Sequence, residues 1–304
     1  MRLGVYVGGA GSTLEEMIEQ ARAAAEAGFD SVFFSQLTAW DALTVAALAG
    51  QRVPGVELGT AVVQTYPRHP LALAGQALTA QVATGHRVTL GIGPSHRVLI
   101  EDAFGHSYDQ PARHTREYLS ALRPLLRGEH VEHRGSFLTV AGQVEVPGAT
   151  EVPVLLAALG PVMLRVAGEL ADGTVTVWAG PEAIAGHVVP TITRAAAAAG
   201  RPAPRIVAGV PIGVTADPEG VRQAVEAQVG FAADFPAYRA ILARDGRSAV
   251  HETVVAGDEA TVASEVRRFA DAGATDLLVS LVGSEEDRQR TLRWLGQRRL
   301  ADLI

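Results

Sequence analysis

The strongest constraint on the fold is a repeated junction in which a helical segment, often Ala-rich, closes on glycine and an apolar run follows within a few residues. Ala27-Gly28 precedes residues 31–34, Thr84-Gly85 precedes 88–92, Asp172-Gly173 precedes 174–177, and Ala272-Gly273 precedes 277–281. Glycine adopts the left-handed conformation that ends a helix at little cost. The runs that follow are mostly apolar on consecutive residues, as parallel strands covered on both faces should be. Extended the length of the chain, the pattern predicts strands at 3–7, 31–34, 56–63, 88–93, 152–156, 174–177, 206–214 and 277–281. Helices are expected at 14–27, 41–50, 71–83, 116–126, 162–170, 183–199, 218–229, 259–272 and 286–300. Eight alternations favour an α/β fold closed as a (β/α)8 TIM barrel over an open sheet, with residues 1–304 forming one domain.

Three stretches interrupt the alternation. Residues 94–111 form a long insertion after strand four. Residues 130–147 carry short alternating apolar positions (Val131, Phe137, Leu138, Val140, Val144, Val146) and read as a β-hairpin inserted before strand five. Residues 230–255 form an insertion after strand seven. Long connections in a compact fold are often the walls of an active site. In barrels, chemistry sits at the C-terminal ends of the strands.

Composition removes whole classes of chemistry. The 304 residues include no cysteine, which excludes disulfides, thiolate nucleophiles and cysteine-held clusters. All 26 basic residues are arginine, so Schiff-base chemistry and a P-loop lysine are excluded as well. A formal net charge of −7 argues against nucleic acid as a partner. The apolar run at the N-terminus is too short for a signal-peptide core, and no window reaches the roughly 20 apolar residues of a membrane span. A cytoplasmic location and no membrane partner are therefore expected. Nine histidines raise the question of a metal-dependent hydrolase, but none forms a His-X-His or His-Glu-X-X-His pair, and no metal is expected.

The strand ends supply the candidate site. After strand two comes Ser35-Gln36-Leu37-Thr38-Ala39-Trp40-Asp41, where Asp41 suits a helix N-cap and Gln36 could hydrogen-bond a heteroaromatic ring. Strand three runs Gly59-Thr60-Ala61-Val62-Val63, small enough at its centre for a flat ligand, and continues to Tyr66 and Pro67-Arg68-His69-Pro70. Strand four ends Gly91-Ile92-Gly93-Pro94-Ser95-His96, with two glycines permitting close backbone approach. After strand five, Ala157-Ala158-Leu159-Gly160-Pro161-Val162-Met163 opens a helix whose free N–H groups suit an anion, although an ordinary helix start reads the same way. Trp178-Ala179-Gly180-Pro181 repeats that design after strand six.

As an ordered set these pieces resemble the luciferase-like superfamily. The matching segments are Ala27-Gly28-Phe29-Asp30-Ser31-Val32, Leu58-Gly59-Thr60-Ala61-Val62, Arg68-His69-Pro70, Arg87-Val88-Thr89-Leu90-Gly91-Ile92-Gly93, Ala157-Ala158-Leu159-Gly160-Pro161 and Ala272-Gly273-Ala274-Thr275-Asp276. Within the superfamily the chain is most similar to coenzyme F420-dependent reductases and dehydrogenases related to methylenetetrahydromethanopterin reductase. The resemblance implies a non-proline cis peptide at Ala61-Val62, against which the deazaflavin ring packs. It implies a cofactor-phosphate turn at Ala157, Ala158, Leu159, Gly160 and Pro161, and ring or ribityl contacts from Gly91 and Gly93. Arg68, His69 and Arg97 become candidates for the acidic tail of F420. Gln36, Thr60, Met163 and Trp178 complete the expected cofactor contacts.

The chain also departs from that pattern. Several F420 relatives carry Asp-His where this chain has Gln36-Leu37, and an acidic residue is missing at the end of strand four, where Ser95 and His96 stand. Without lysine, a sugar-phosphate substrate is disfavoured. The implied activity is hydride transfer between F420 and a small organic substrate (C=C, C=N, carbonyl or alcohol), with His96, Asp41 or Tyr66 as proton donor. An FMN-dependent two-component monooxygenase and a non-catalytic flavin or deazaflavin binder are the alternatives. A homodimer is expected, as in relatives.

Overall fold

In the computed structural model, which describes residues 1–297, the predicted glycine stops divide into two kinds. Gly28 and Gly273 take the left-handed conformation (φ 99° and 92°), and each is followed within three residues by a strand. Gly173 instead opens its strand, where a Cβ would stand 2.2 Å from the Arg205 carbonyl oxygen. Glycine is there to let two strands approach, not to end a helix.

The elements follow in order as β1 (Arg2–Val7), α1 (Leu14–Ala27), β2 (Ser31–Phe34), α2 (Ala42–Gly50), β3 (Glu57–Thr60), β4 (Val63–Gln64), α3 (Pro70–Ala83) and β5 (Val88–Gly93). Next come α4 (Pro111–Leu126), β6 (Val131–Arg134), β7 (Thr139–Gly142), β8 (Val154–Ala157), α5 (Pro161–Leu170), β9 (Gly173–Val177), α6 (Pro181–Ala183) and α7 (Val189–Ala198). The chain continues through β10 (Arg205–Val214), α8 (Pro218–Val229), α9 (Pro236–Arg244), β11 (Val255–Gly257), α10 (Glu259–Asp271), β12 (Asp276–Leu281) and α11 (Glu285–Gln297). Residues 298–300 of the last expected helix lie outside the described residues.

The strands β1, β2, β3, β5, β8, β9, β10 and β12 pair in parallel in that order, and β12 returns to β1. This is the closed (β/α)8 barrel. The hairpin β6–β7 is antiparallel and separate from the barrel sheet, as the alternation at 130–147 predicts. Inside the barrel, Phe33, Leu155, Val175, Val207 and Leu278 pack together. Phe33 fits because β3 offers no side chain opposite it; a Cβ on Gly59 would lie 2.4 Å from its ring. A larger apolar layer, including Val5, Ile18, Leu58, Leu73, Leu122 and Val279, seals strands against helices.

Beyond shifts of one or two residues, as in β8 (Val154–Ala157 against 152–156), the structure departs from the sequence reading in four places. The strand expected at 56–63 is broken into β3 and β4 around a cis peptide at Ala61-Val62. Helix α4 begins at Pro111, five residues early, because Pro tolerates the first turn and polar His114 and Thr115, which blur the apolar stripe, are buried. The helix expected at 183–199 starts at Pro181 and passes through a π-helical turn at Ile184–Val188. The insertion after β10 is largely helical, with 3-10 turns at Gly230–Asp234 and Val250–Thr253 flanking α9.

The strands' N-terminal ends carry a charged network. Arg205 pairs with Glu57 (2.8 Å) and Asp276 (2.6 Å), Arg2 pairs with Glu57 (2.6 Å), and Thr89 donates to Glu57 (2.6 Å). The opposite, C-terminal end is the mouth.

Candidate functional site

The floor of the mouth has few protruding side chains. Ala61, Val62, Ala157 and Tyr6 cap the apolar cluster inside the barrel. Between them sits Gly93, where a Cβ would come within 3.0 Å of both Ala157 Cβ and Val62 Cγ2. Any side chain there would occupy the floor, so the glycine keeps a flat surface open. Thr60 and Gly91 lie beneath it. Thr60 is fully buried, its hydroxyl donating to the Gly91 carbonyl (2.7 Å) and accepting from the Gly91 N–H (2.9 Å). The structure thus gives both the task of holding the β3–β5 seam under the floor, rather than lining it.

Three residues past Ala157 the chain enters α5. Gly160 caps that helix without any side-chain hydrogen bond, and Gly160, Pro161 and Val162 are exposed. Such a terminus presents backbone N–H groups and the positive end of the helix dipole. His187 Nε2 donates to the Leu159 carbonyl (2.8 Å), which steadies the turn, while Ala158 and half-buried Met163 pack into the layer behind it. The look-alike turn at Gly180-Pro181 is different. Asp245 accepts from Gly180 N (2.6 Å) and Ala183 N (2.8 Å), so the chain's own carboxylate already fills that terminus. Of the two turns that read alike in sequence, only the α5 terminus is open to an external anion.

One wall of the mouth is aromatic. Ser95 (φ 64°) and Trp178 (φ 57°) adopt left-handed backbone, turning the chain sharply at the ends of β5 and β9. His96 then stacks on Phe235 (4.6 Å between ring centroids), and its Nε2 lies 3.1 Å from the Tyr238 hydroxyl. Tyr238 meets Trp178 edge-on at 4.7 Å. Burial lowers the His96 pKa below the ordinary histidine value, and burial pushes the Tyr238 phenol up to about 12. Both are therefore neutral near pH 7.

The other expected acid, Asp41, is committed elsewhere. It caps α2 through Thr44 N (2.8 Å) and Thr44 Oγ1 (2.7 Å), and its second oxygen pairs with Arg68. Burial alone would raise its pKa; hydrogen bonds from Arg68 and Thr44 outweigh that and hold the carboxyl below the usual aspartate range. The carboxylate expected as a proton donor is thus engaged through both oxygens, by Thr44 and by Arg68. The same pair removes Arg68 as a free cation. His69 is used as the N-cap of α3 and donates to Thr139 O (2.9 Å), and Arg97 is paired with Glu101 (2.5 Å). Gln36 accepts from Ala42 N (3.1 Å) and reaches Gln64, which bonds to the Leu37 carbonyl, so it shapes the β2 turn. Tyr66 stacks flat on His114 (3.8 Å, 5°), and burial, with the neighbouring Tyr108, pushes its phenol up to about 12.

Sequence reading missed Tyr6, Phe235, Tyr238, His187 and Asp245. A signal for part of this exists: Phe231, Phe235 and Tyr238 recur at i, i+4 and i+7, one face of a helix. Among the described residues, no group of three or more His, Cys, Asp or Glu could hold a metal ion, and no helix is long and apolar enough to cross a membrane.

A closed parallel barrel of eight strands ringed by helices, with the open terminus of α5 and an aromatic wall at its mouth, defines the class: a (β/α)8 barrel protein. The chain belongs to the luciferase-like monooxygenase family, whose sequence model matches residues 1–287. It is 33% identical over 157 residues to 5,10-methylenetetrahydromethanopterin reductase of Methanolobus tindarius, covering 50% of this chain and 47% of that one. The chain spans about half the length of this curated relative and of a second. In structure it is similar to the coenzyme F420-dependent tetrahydromethanopterin reductase of Methanopyrus kandleri, with a TM-score of 0.85, 22% identity and coverage of 100% and 99% of the two chains. It is also similar to the FMN-bound oxygenating component of 3,6-diketocamphane monooxygenase from Pseudomonas putida, with a TM-score of 0.79, 16% identity and coverage of 100% and 98%. These structural likenesses establish the fold.

Proposed function

We propose that this chain is an oxidoreductase that moves a hydride between coenzyme F420 and a small organic substrate bearing C=C, C=N or a carbonyl or alcohol. The observation that carries the reading is the placement of a side-chain-free floor at Gly93 and Ala157 three residues from the uncapped terminus of α5. Ring and phosphate of one molecule would be held by neighbouring stretches of one strand-to-helix turn. Bound F420 would supply a hydride donor or acceptor at its deazaflavin ring. Ala61, Val62, Gly93 and Ala157 then position the ring, and the N–H groups of Val162 and Met163 hold the phosphate. The aromatic wall excludes water. In the reducing direction the substrate carbon gains the hydride and its heteroatom or neighbouring carbon gains a proton, two electrons in all. His96, whose Nε2 lies 3.1 Å from the Tyr238 hydroxyl, is the side chain we assign to relay that proton. The similarity to F420-dependent relatives supports this cofactor over FMN, which shares the ring, ribityl chain and phosphate.

Equilibrium titration of the purified protein with F420 and with FMN, read by fluorescence quenching, tests the reading. Micromolar or tighter F420 with much weaker FMN is expected. Preference for FMN would favour an oxygen-dependent monooxygenase, and tight F420 binding without turnover of any enone, imine or alcohol would favour a non-catalytic binder.

A further inference from the structure

The insertion between α8 and β11 carries rings where the repeating barrel unit has none. Phe231 meets Phe235 edge-on (6.3 Å, 77°), Phe235 stacks on His96 (4.6 Å, 14°), and His96 contacts Tyr238 (5.2 Å), which reaches Trp178 (4.7 Å, 70°). The result is one unbroken run of five rings from the β5 loop to the end of β9. Its outer end, Phe231, is 66% exposed, and its inner end packs with Val282 at the end of β12. Ionic side chains flank the run. Arg239 pairs with Asp234 (3.6 Å), Arg97 with Glu101 and Asp245 with two backbone N–H groups, while the Arg247 guanidinium lies beside the Gly180 turn.

We propose, resting on the hydride-transfer reading above, that this wall selects the substrate, and that the substrate is flat and uncharged: an aryl or otherwise conjugated ketone, enone or imine without carboxylate or phosphate. Ring faces and edges complement another planar π-system. A carboxylate brought against the faces of the same rings sheds its hydration without compensation from them, which is costly. Phe235 and Tyr238 are then specificity-determining residues, and the insertion that bears them is the specificity element.

The test uses a matched pair, benzylideneacetone and its para-carboxylate, titrated into the protein with and without F420 and read by tryptophan quenching. The neutral ketone is expected to bind at least about tenfold more tightly than the carboxylate. Phe235→Leu, which keeps apolar bulk but removes the ring, should weaken binding of the neutral ketone by about threefold or more, whereas Tyr238→Phe should keep it. Equal or tighter binding of the carboxylate, no binding of the ketone, or an unaltered ketone affinity in Phe235→Leu overturns the inference. Because the wall belongs to the chain itself, the comparison stands without cofactor. Failure to bind F420 would sink the hydride-transfer reading, while F420 binding with a carboxylate preference would sink only this one.

Discussion

At the residue scale, two strand glycines show how one residue type serves two ends. Gly93 sits in the floor between Val62 and Ala157, whereas Gly59 yields its space to the Phe33 ring inside the barrel. Gly93→Val should therefore weaken F420 binding by at least about tenfold, roughly 1.4 kcal/mol, and lower thermal stability as well, because its Cβ would stand 3.0 Å from both Ala157 and Val62. Calorimetric titration alongside a melting curve checks this; unaltered F420 affinity would remove Gly93 from the floor. Both positions are visible in the sequence as glycines within strands. What the sequence lacks is the direction of the missing Cβ, which depends on Phe33 for Gly59 and on Val62 and Ala157 for Gly93, all on other segments of the chain. The same limit explains Thr60, expected to touch cofactor, whose hydroxyl is spent on the Gly91 backbone.

At the element scale, Asp245 ties the insertion to the barrel. Its carboxylate bonds to Gly180 N and Ala183 N, so α6 and the segment after α9 hold each other. Asp245→Ala should cost about 1 kcal/mol, as loss of a helix cap does, and should speed limited proteolysis between residues 230 and 254. Mass spectrometry of the first cuts reads the effect, and an unchanged cleavage pattern would show that other contacts hold the insertion. The regular βα units were legible because helix-stop glycines and apolar runs are local signals. The insertion was not. Its Phe235 and Tyr238 meet His96 and Trp178, which follow β5 and β9 and which only closure of the barrel brings near. The equivalence of the Gly160-Pro161 and Gly180-Pro181 turns failed for the same reason, since the residue that separates them is 65 positions from the second turn.

At the scale of the whole molecule, a largely buried ionic network closes the end of the barrel opposite the mouth. Arg205, Glu57, Asp276 and Arg2 close the N-terminal end. For Glu57, burial favours the protonated form, but Arg205, Thr89 and Arg2 outweigh it, leaving the pKa below the ordinary glutamate value. A depressed carboxyl pKa gives stability that is fully present above the unfolded value and is lost as pH falls through the folded one. Arg205→Met should destabilise the fold by about 3 kcal/mol, since it strands two acids. It should also flatten the loss of stability below about pH 4.5 and leave ligand affinity at the far end unaltered. Urea midpoints at pH 7 and pH 4 check all of this, and an unchanged midpoint would show the network to be dispensable. Strand β10 outruns its neighbours, pairing with β9 and β12 along the barrel and then with β11 at Ile212, Gly213 and Val214. That last pairing sets the two ends of the excursion from residue 215 to residue 254 side by side. A segment whose ends are already clasped can be exchanged for another of different length without asking the barrel to refold around it. The seam between β10 and β11 is thus a natural splice point, where a lineage, or an engineer, could trade one recognition cassette for another while the catalytic chassis stays as it is.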